Sequence, residues 1–325
     1  MTHILLLLGC AVVIYLACEW FVNAIEWLGV TLQVGHVAVG SILAAVGTAL
    51  PESLVTLVAI VSGADQGKDL GVGAALGGPL VVGTVAYAVT GLMLLRHNPG
   101  PITGVDTRRL SKDQTWFLVV FAATFLLGLV TFSGKSWFGW ALFAAYGLYF
   151  WKEMGDDGDA ASHEGLEPLK LQPRSERPSS WAVWVQTLGA LAVIFVATQI
   201  FVDQLEWAGP ALGLPATVVA LLLSPLATEL PETLNAIIWV RQGKTQLALA
   251  NIAGAMMIQS TVPGGIGLLM TPWRYDAPLT IAAVATMVSV LYVLWLMRTH
   301  RATAGRLALT GLCYAGFAVG VFIVA

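Results

Sequence analysis

Two short runs in the chain carry residue types that could do chemistry. Thr48, Pro51 and Glu52 lie inside one long apolar stretch, and Thr228, Glu229, Pro231 and Glu232 lie inside another, in a register shifted by 180 residues. A proline within a helix removes a backbone donor and clashes with the carbonyl one turn back, so carbonyl oxygens are released at that point. Thr48 and Glu52, four residues apart, share one helix face, as do Thr228 and Glu232. Two carboxylates, two hydroxyls and freed carbonyls are hard oxygen donors of the kind that surround Ca2+, which takes six to eight such ligands, or Na+. An ionised acid in apolar surroundings needs a counter-charge, and the apolar stretches hold no obvious Lys or Arg to supply one. A cation fills that role. For each threonine the alternative is a hydrogen bond back to the preceding turn, which is common in membrane helices.

The elements that position these residues follow from composition. The 325-residue chain is 57% hydrophobic and only 11% charged, with a mean hydropathy of +0.79, which makes it an integral membrane protein. Sixteen Lys and Arg against nineteen Asp and Glu leave no basic surplus for phosphates, so no nucleic-acid partner is expected. Cys10, Cys18 and Cys313 are odd in number and lie in apolar runs, which indicates small core residues and neither disulfides nor a metal cluster. The first apolar run lacks the basic start and clear cleavage site of a secretory leader and is read as a first transmembrane helix.

Dividing the apolar runs by the roughly 20 residues that cross a bilayer predicts an all-α polytopic membrane protein with ten transmembrane helices. The predicted spans are 3–29, 35–62, 70–95, 114–132, 136–154, 181–208, 215–241, 244–271, 277–297 and 303–324. Trp116, Trp137, Trp151, Trp181 and Trp184 fall near span ends, as an interfacial aromatic belt would have them. The polar segment 155–180, rich in charge, Pro, Gly and Ser, reads as a flexible linker between two five-helix halves, 1–154 and 181–325. Thirteen of the sixteen Lys and Arg fall in the loops after spans 3, 5, 7 and 9, against Lys68, Lys135 and Arg274 on the other side. That asymmetry predicts a cytoplasmic linker and both termini outside, in a bacterial-type inner membrane.

The two halves also match beyond the short runs. At the same offset, Phe21 to Gly29 ("FVNAIEWLG") faces Phe201 to Gly209 ("FVDQLEWAG"), and Gly63 meets Gly243. Copies with five helices each must enter the membrane in opposite directions, which is the inverted-repeat architecture of secondary transporters.

The paired Thr-x-x-Pro-Glu runs resemble the signature of the sodium/calcium exchanger family within the cation/calcium antiporter superfamily. The resemblance covers most of the chain. It implies cation exchange by alternating access, with transported cations and no cofactor, and no enzymatic activity. It also implies that Glu52 and Glu232 are the central acidic ligands, with Thr48 and Thr228 beside them and helices 2, 3, 7 and 8 around the site. The second motif of each repeat departs from the family pattern. In the first copy Ala74, Gly78 and Pro79 replace polar residues, and Ala49 replaces a serine; in the second, Asn251 and Gly254 are kept, Ala255 replaces a serine, and Glu229 and Gln259 stand at ligand positions. Glu229, Gln259 and Asn251 are therefore expected to join the cation-binding set. Because two acids packed closely in low dielectric do not both ionise, Glu229 beside Glu232 leaves H+ open as the coupling ion alongside Na+.

The leading expectation is a secondary antiporter exchanging Ca2+ or another cation for Na+ or H+. The alternative is a divergent member carrying a different cation or an organic solute, and, further off, a membrane-embedded hydrolase using paired acids. Glu19, Asn23 and Glu26 share a face of the first helix, either as a cation-attracting vestibule or as a solvated row. The sequence leaves the oligomeric state open, along with the roles of Glu19 and His36, and His36 is expected at the interface.

Overall fold

The structure, a computed structural model, describes residues 2–49, 53, 57, 60, 67–97, 100–155, 165–211 and 222–324. It is helical along nearly all of that length. In chain order the helices are α1 (Thr2–Leu32), α2 (His36–Ala49), α3 (67–97), α4 (Thr107–Leu129), α5 (Phe138–Met154), α6 (Ser180–Ala211), α7 (224–241), α8 (Thr245–Met270), α9 (Ala277–Arg298) and α10 (Ala304–Val324). Among the described residues seven of them, α1, α3, α4, α6, α8, α9 and α10, are long and apolar enough to cross a bilayer. Helices satisfy their own backbone groups, which is why a chain this apolar adopts them.

The helices pair in an antiparallel sense with their counterparts 180 residues away. His3, at the start of α1, hydrogen-bonds Gln204 and stacks on Trp207 near the end of α6, while Gln186, near the start of α6, donates to Trp20 O and to the Asn23 side chain on α1. Likewise Arg298 at the end of α9 reaches Thr115 early in α4, and Tyr275 N, just ahead of α9, donates to Gly128 O at the end of α4. Copies that enter the bilayer in opposite directions produce this arrangement.

α8 is the axis of the bundle, buried along almost its whole length. Small residues let other backbones reach it. A Cβ on Gly40 of α2 would lie 2.8 Å from Leu247 O, and one on Gly265 would lie 3.1 Å from Gly139 O of α5. α8 runs unbroken through Pro263, so Gly264 and Gly265 serve close packing; in α3 Gly77 does the same against Pro225.

α2 and α3 each contain a π-helical turn, Val39–Ala44 and Val82–Ala86. Such a turn releases backbone carbonyls that need partners away from water. Neighbouring helices provide them: Ser289 Oγ on α9 donates to Gly83 O at 2.6 Å, and Thr310 Oγ1 on α10 donates to Thr84 O at 2.9 Å.

Three expectations change. α4 begins at Thr107, ahead of the predicted 114, because the Asp106 carboxylate accepts the backbone N–H groups of Arg108 and Arg109 and caps the helix there. The charged first turn disguised it as loop, and Asp113 within it is fully buried. The second part of the linker is docked, not flexible. Trp27 Nε1 donates to Glu167 O at 2.9 Å, Lys170 N donates to Asn23 Oδ1 at 3.0 Å, Leu171 N donates to Gln186 Oε1 at 2.7 Å, and Leu169 is fully buried. The third change concerns the acidic row of α1, which forms no open vestibule. Glu19 accepts from Tyr15 and faces Lys170, Asn23 holds the linker, and Glu26 is bound by Trp239 Nε1 and Lys244 Nζ.

Of the cysteines, Cys10 and Cys18 are buried and Cys313 is half-buried; all three are free thiols. Trp137, Trp151, Trp181 and Trp184 are exposed on the outside of the bundle, and His36 is exposed at the start of α2.

Candidate cation site

α7 breaks where the sequence places its second Pro-Glu pair. Ser224–Thr228 ends at Glu229, and Leu230–Arg241 begins immediately after it, with Pro231 in the first turn, where its missing N–H costs no helix bond. The break leaves Glu229 0% and Glu232 1% exposed, two carboxyl groups held deep between α7, α8 and α3. Glu232 lies in the first turn of the second piece, where the helix dipole favours negative charge.

Amides surround these acids. Gln259 Nε2 on α8 donates to Glu229 Oε2 at 2.6 Å, and Asn251 Nδ2 donates to Glu232 O at 3.4 Å. Asn251 Oδ1 is buried with no hydrogen-bond partner among the described residues. Asn235 stands three residues beyond Glu232, on the same face of α7. It is fully buried, and neither end of its amide has a partner among the described residues. Sequence reasoning missed Asn235, although its i+3 spacing from Glu232 was the available signal. It also missed Cys18 of α1, whose thiol lies 3.9 Å from Pro231 O and brings α1 against the break.

Of the residues singled out from sequence, the structure brings Glu229, Glu232, Asn251 and Gln259 together on α7 and α8. Thr228 Oγ1 donates to Pro225 O at 3.2 Å and Thr48 Oγ1 to Ala44 O at 3.1 Å, the back-bond to the preceding turn. A hydroxyl that donates in this way keeps its lone pairs for a ligand. Glu52 and Pro51 lie outside the described residues. Among the described residues no group of three or more His, Cys, Asp or Glu side chains forms a cluster. The oxygens gathered on this side are those of two acids, amides, hydroxyls and carbonyls.

Gly78 of α3 explains how the enlarged side chains fit. A Cβ there would lie 2.9 Å from Glu229 Oε1 and 3.0 Å from Gln259 Cδ, so the glycine makes the space that the Glu229–Gln259 pair occupies. The polar group missing at Gly78 and the larger pair in the second repeat are one steric exchange. Gly78→Ala is expected to displace the pair at an overpacking cost of about 1–3 kcal/mol, reducing cation flux by roughly tenfold. Adding Glu229→Ser to the same chain relieves the contact. A double mutant no more stable in a thermal melt than Gly78→Ala would show that the two sites do not share this space.

The model of the family described as "Sodium/calcium exchanger protein" matches residues 2–152 and 182–323. The chain belongs to that family. The exchanger is 27% identical over 297 residues to the inner membrane protein YrbG of Escherichia coli K12, an alignment covering 89% of this chain and 87% of that protein. In structure it matches the sodium-calcium exchanger NCX_Mj soaked with Na+ and Sr2+, with a TM-score of 0.75, 17% identity and coverage of 100% of this chain and 98% of that one. NCX_Mj soaked with Na+ and zero Ca2+ matches equally well, with a TM-score of 0.75 and 17% identity. The exchanger is a multi-pass cation antiporter and not an enzyme.

Proposed function

We propose that the exchanger moves Ca2+ against Na+ or H+ by alternating access, with Glu52 and Glu232 as its central ligands. One observation carries the reading: a broken helix holds two buried acids among buried amides, in a bundle whose counterpart helices pair antiparallel. Thr48, Thr228, Asn251, Gln259 and Glu229 complete the ligand set, each presenting oxygen to a hard cation. In lipid the acids gain a counter-charge when the cation binds and lose it on release, so the ions must alternate across one site.

The chain spans the membrane ten times as two inverted five-helix repeats, 1–154 and 181–325, joined by the cytoplasmic segment 155–180. Both termini lie outside, in an inner membrane. Two observations support this layout: the family model matches in two blocks that leave out 153–181, and the loops after α3 and α9 pair with each other, Ile102 N donating to Ala302 O at 3.0 Å. Two of the four cation-rich loops thereby share one face.

A second reading, transport of a different cation or an organic solute, is favoured by Gln259. Its amide N–H points at Glu229 and occupies a lone pair that a cation would otherwise use. The test is flux in proteoliposomes with Ca2+, Na+ and H+ gradients imposed one at a time, on wild type and Glu52→Gln. Ca2+ uptake driven by Na+ or H+ and lost in Glu52→Gln supports exchange and identifies the coupling ion. Absence of Ca2+ movement under every gradient overturns the Ca2+ assignment, and an uncoupled current points to a channel.

A further inference from the structure

We propose that the groove between α4 and the end of α9 binds the phosphate headgroup of an anionic phospholipid. The groove has a volume of about 790 Å3 and lies away from the acidic site, on the outer face of the bundle. Arg108 and Lys112 of α4, with Arg298 and His300 from the end of α9, form its rim, and Trp116 and Val119 form its wall. Arg108, Arg298 and His300 are exposed.

The rim is held in place by the protein. Arg298 donates to Thr115 Oγ1 at 3.0 Å, and His300 lies 3.4 Å from Thr107 Oγ1. His300 has a φ of 54°, the left-handed turn that ends α9, and Arg301 N closes that turn on Leu296 O at 2.9 Å. The buried carboxylate of Glu153 is bound by Arg109 at 2.8 Å and Lys112 at 3.3 Å, so it offsets Lys112, and the charge the rim offers a ligand rests on Arg108 and Arg298. The Asp106 carboxylate caps α4 through the backbone N–H of Arg108, and neither the Arg108 nor the Arg298 side chain forms an ion pair among the described residues.

The stripe along α4 selects a lipid over a soluble anion. Residues 108, 112, 116 and 119 follow one another on one side of the helix, and their character changes from cationic to apolar over about 16 Å. Val119 is 64% exposed, and the Trp116 ring carries Lys152 Nζ 5.0 Å from its centroid. A phosphodiester at the rim and an acyl chain along Trp116 and Val119 match that gradient, and basic grooves between transmembrane helices bind anionic headgroups for this reason.

The test compares thermal melts of the full chain in detergent micelles containing dioleoylphosphatidylglycerol, dioleoylphosphatidylcholine, or dioleoylphosphatidylcholine with inorganic phosphate. Phosphatidylglycerol is expected to raise the midpoint by a few degrees over phosphatidylcholine, and the rise should shrink with added salt. Arg108→Gln with Arg298→Gln is expected to lose most of the rise, whereas Arg274→Gln, in the loop ahead of α9, keeps it. Should the double variant fail to fold, Arg298→Gln alone is read by native mass spectrometry as fewer retained phosphatidylglycerol molecules than wild type. Equal midpoints in the two lipids, or an undiminished rise in the double variant, overturn the proposal. An equal rise with inorganic phosphate also overturns it, since the groove would then read a free anion.

Discussion

Glu232→Gln lowers cation flux by about a hundredfold or more while the protein stays folded. The substitution keeps the shape of a side chain only 1% exposed and removes its charge. Taking one member from a buried ion pair costs about 3–5 kcal/mol, which corresponds to roughly a hundredfold to several thousandfold in cation affinity. Retained volume is the reason stability should hold: no cavity forms and α7 keeps its first turn. Flux of Ca2+ and Na+ in proteoliposomes, alongside a melting curve, checks both halves. Normal transport of every cation tested would remove Glu232 from the site.

Gly254→Ala should produce the largest loss of stability of any glycine-to-alanine change among the described residues. A Cβ on Gly254 would overlap Ser41 O and lie 2.5 Å from Ser41 C, both backbone atoms in the π-helical turn of α2. No rotamer change relieves a clash with backbone, so α2 must withdraw from α8. The cost lies at or above the top of the usual 1–3 kcal/mol for overpacking. Thr48 lies on the same helix, seven residues beyond Ser41, so transport falls with stability. A wild-type melting temperature and normal flux in Gly254→Ala would mean that α2 and α8 are not so close. The contrast with Gly78→Ala is physical. There the methyl meets the ends of two side chains, which can be shortened, whereas at Gly254 it meets main chain.

What the sequence determined by itself is what depends on local chemistry and on counting. Hydropathy and span length gave the membrane class, because a backbone in lipid has few ways to satisfy itself. The second Pro-Glu run located the break in α7, because Pro231 fits the first turn of a helix and so marks where the second piece starts. Glu229 and Gln259 were identified as candidate positions, but their direct bond depends on the approach of α7 to α8, and on Gly78 of a third helix leaving room. Asn235 escaped notice because carboxamides are common, and only burial without a partner distinguishes this one. The docked linker was missed for a related reason. Segment 165–179 has the composition of a flexible chain, yet Asn23 and Trp27, far away in sequence, and Gln186 of the following helix satisfy its backbone. Tertiary structure decided these features because each is a contact between surfaces on separate helices, and a one-dimensional pattern records which residues lie on a face but not what that face meets.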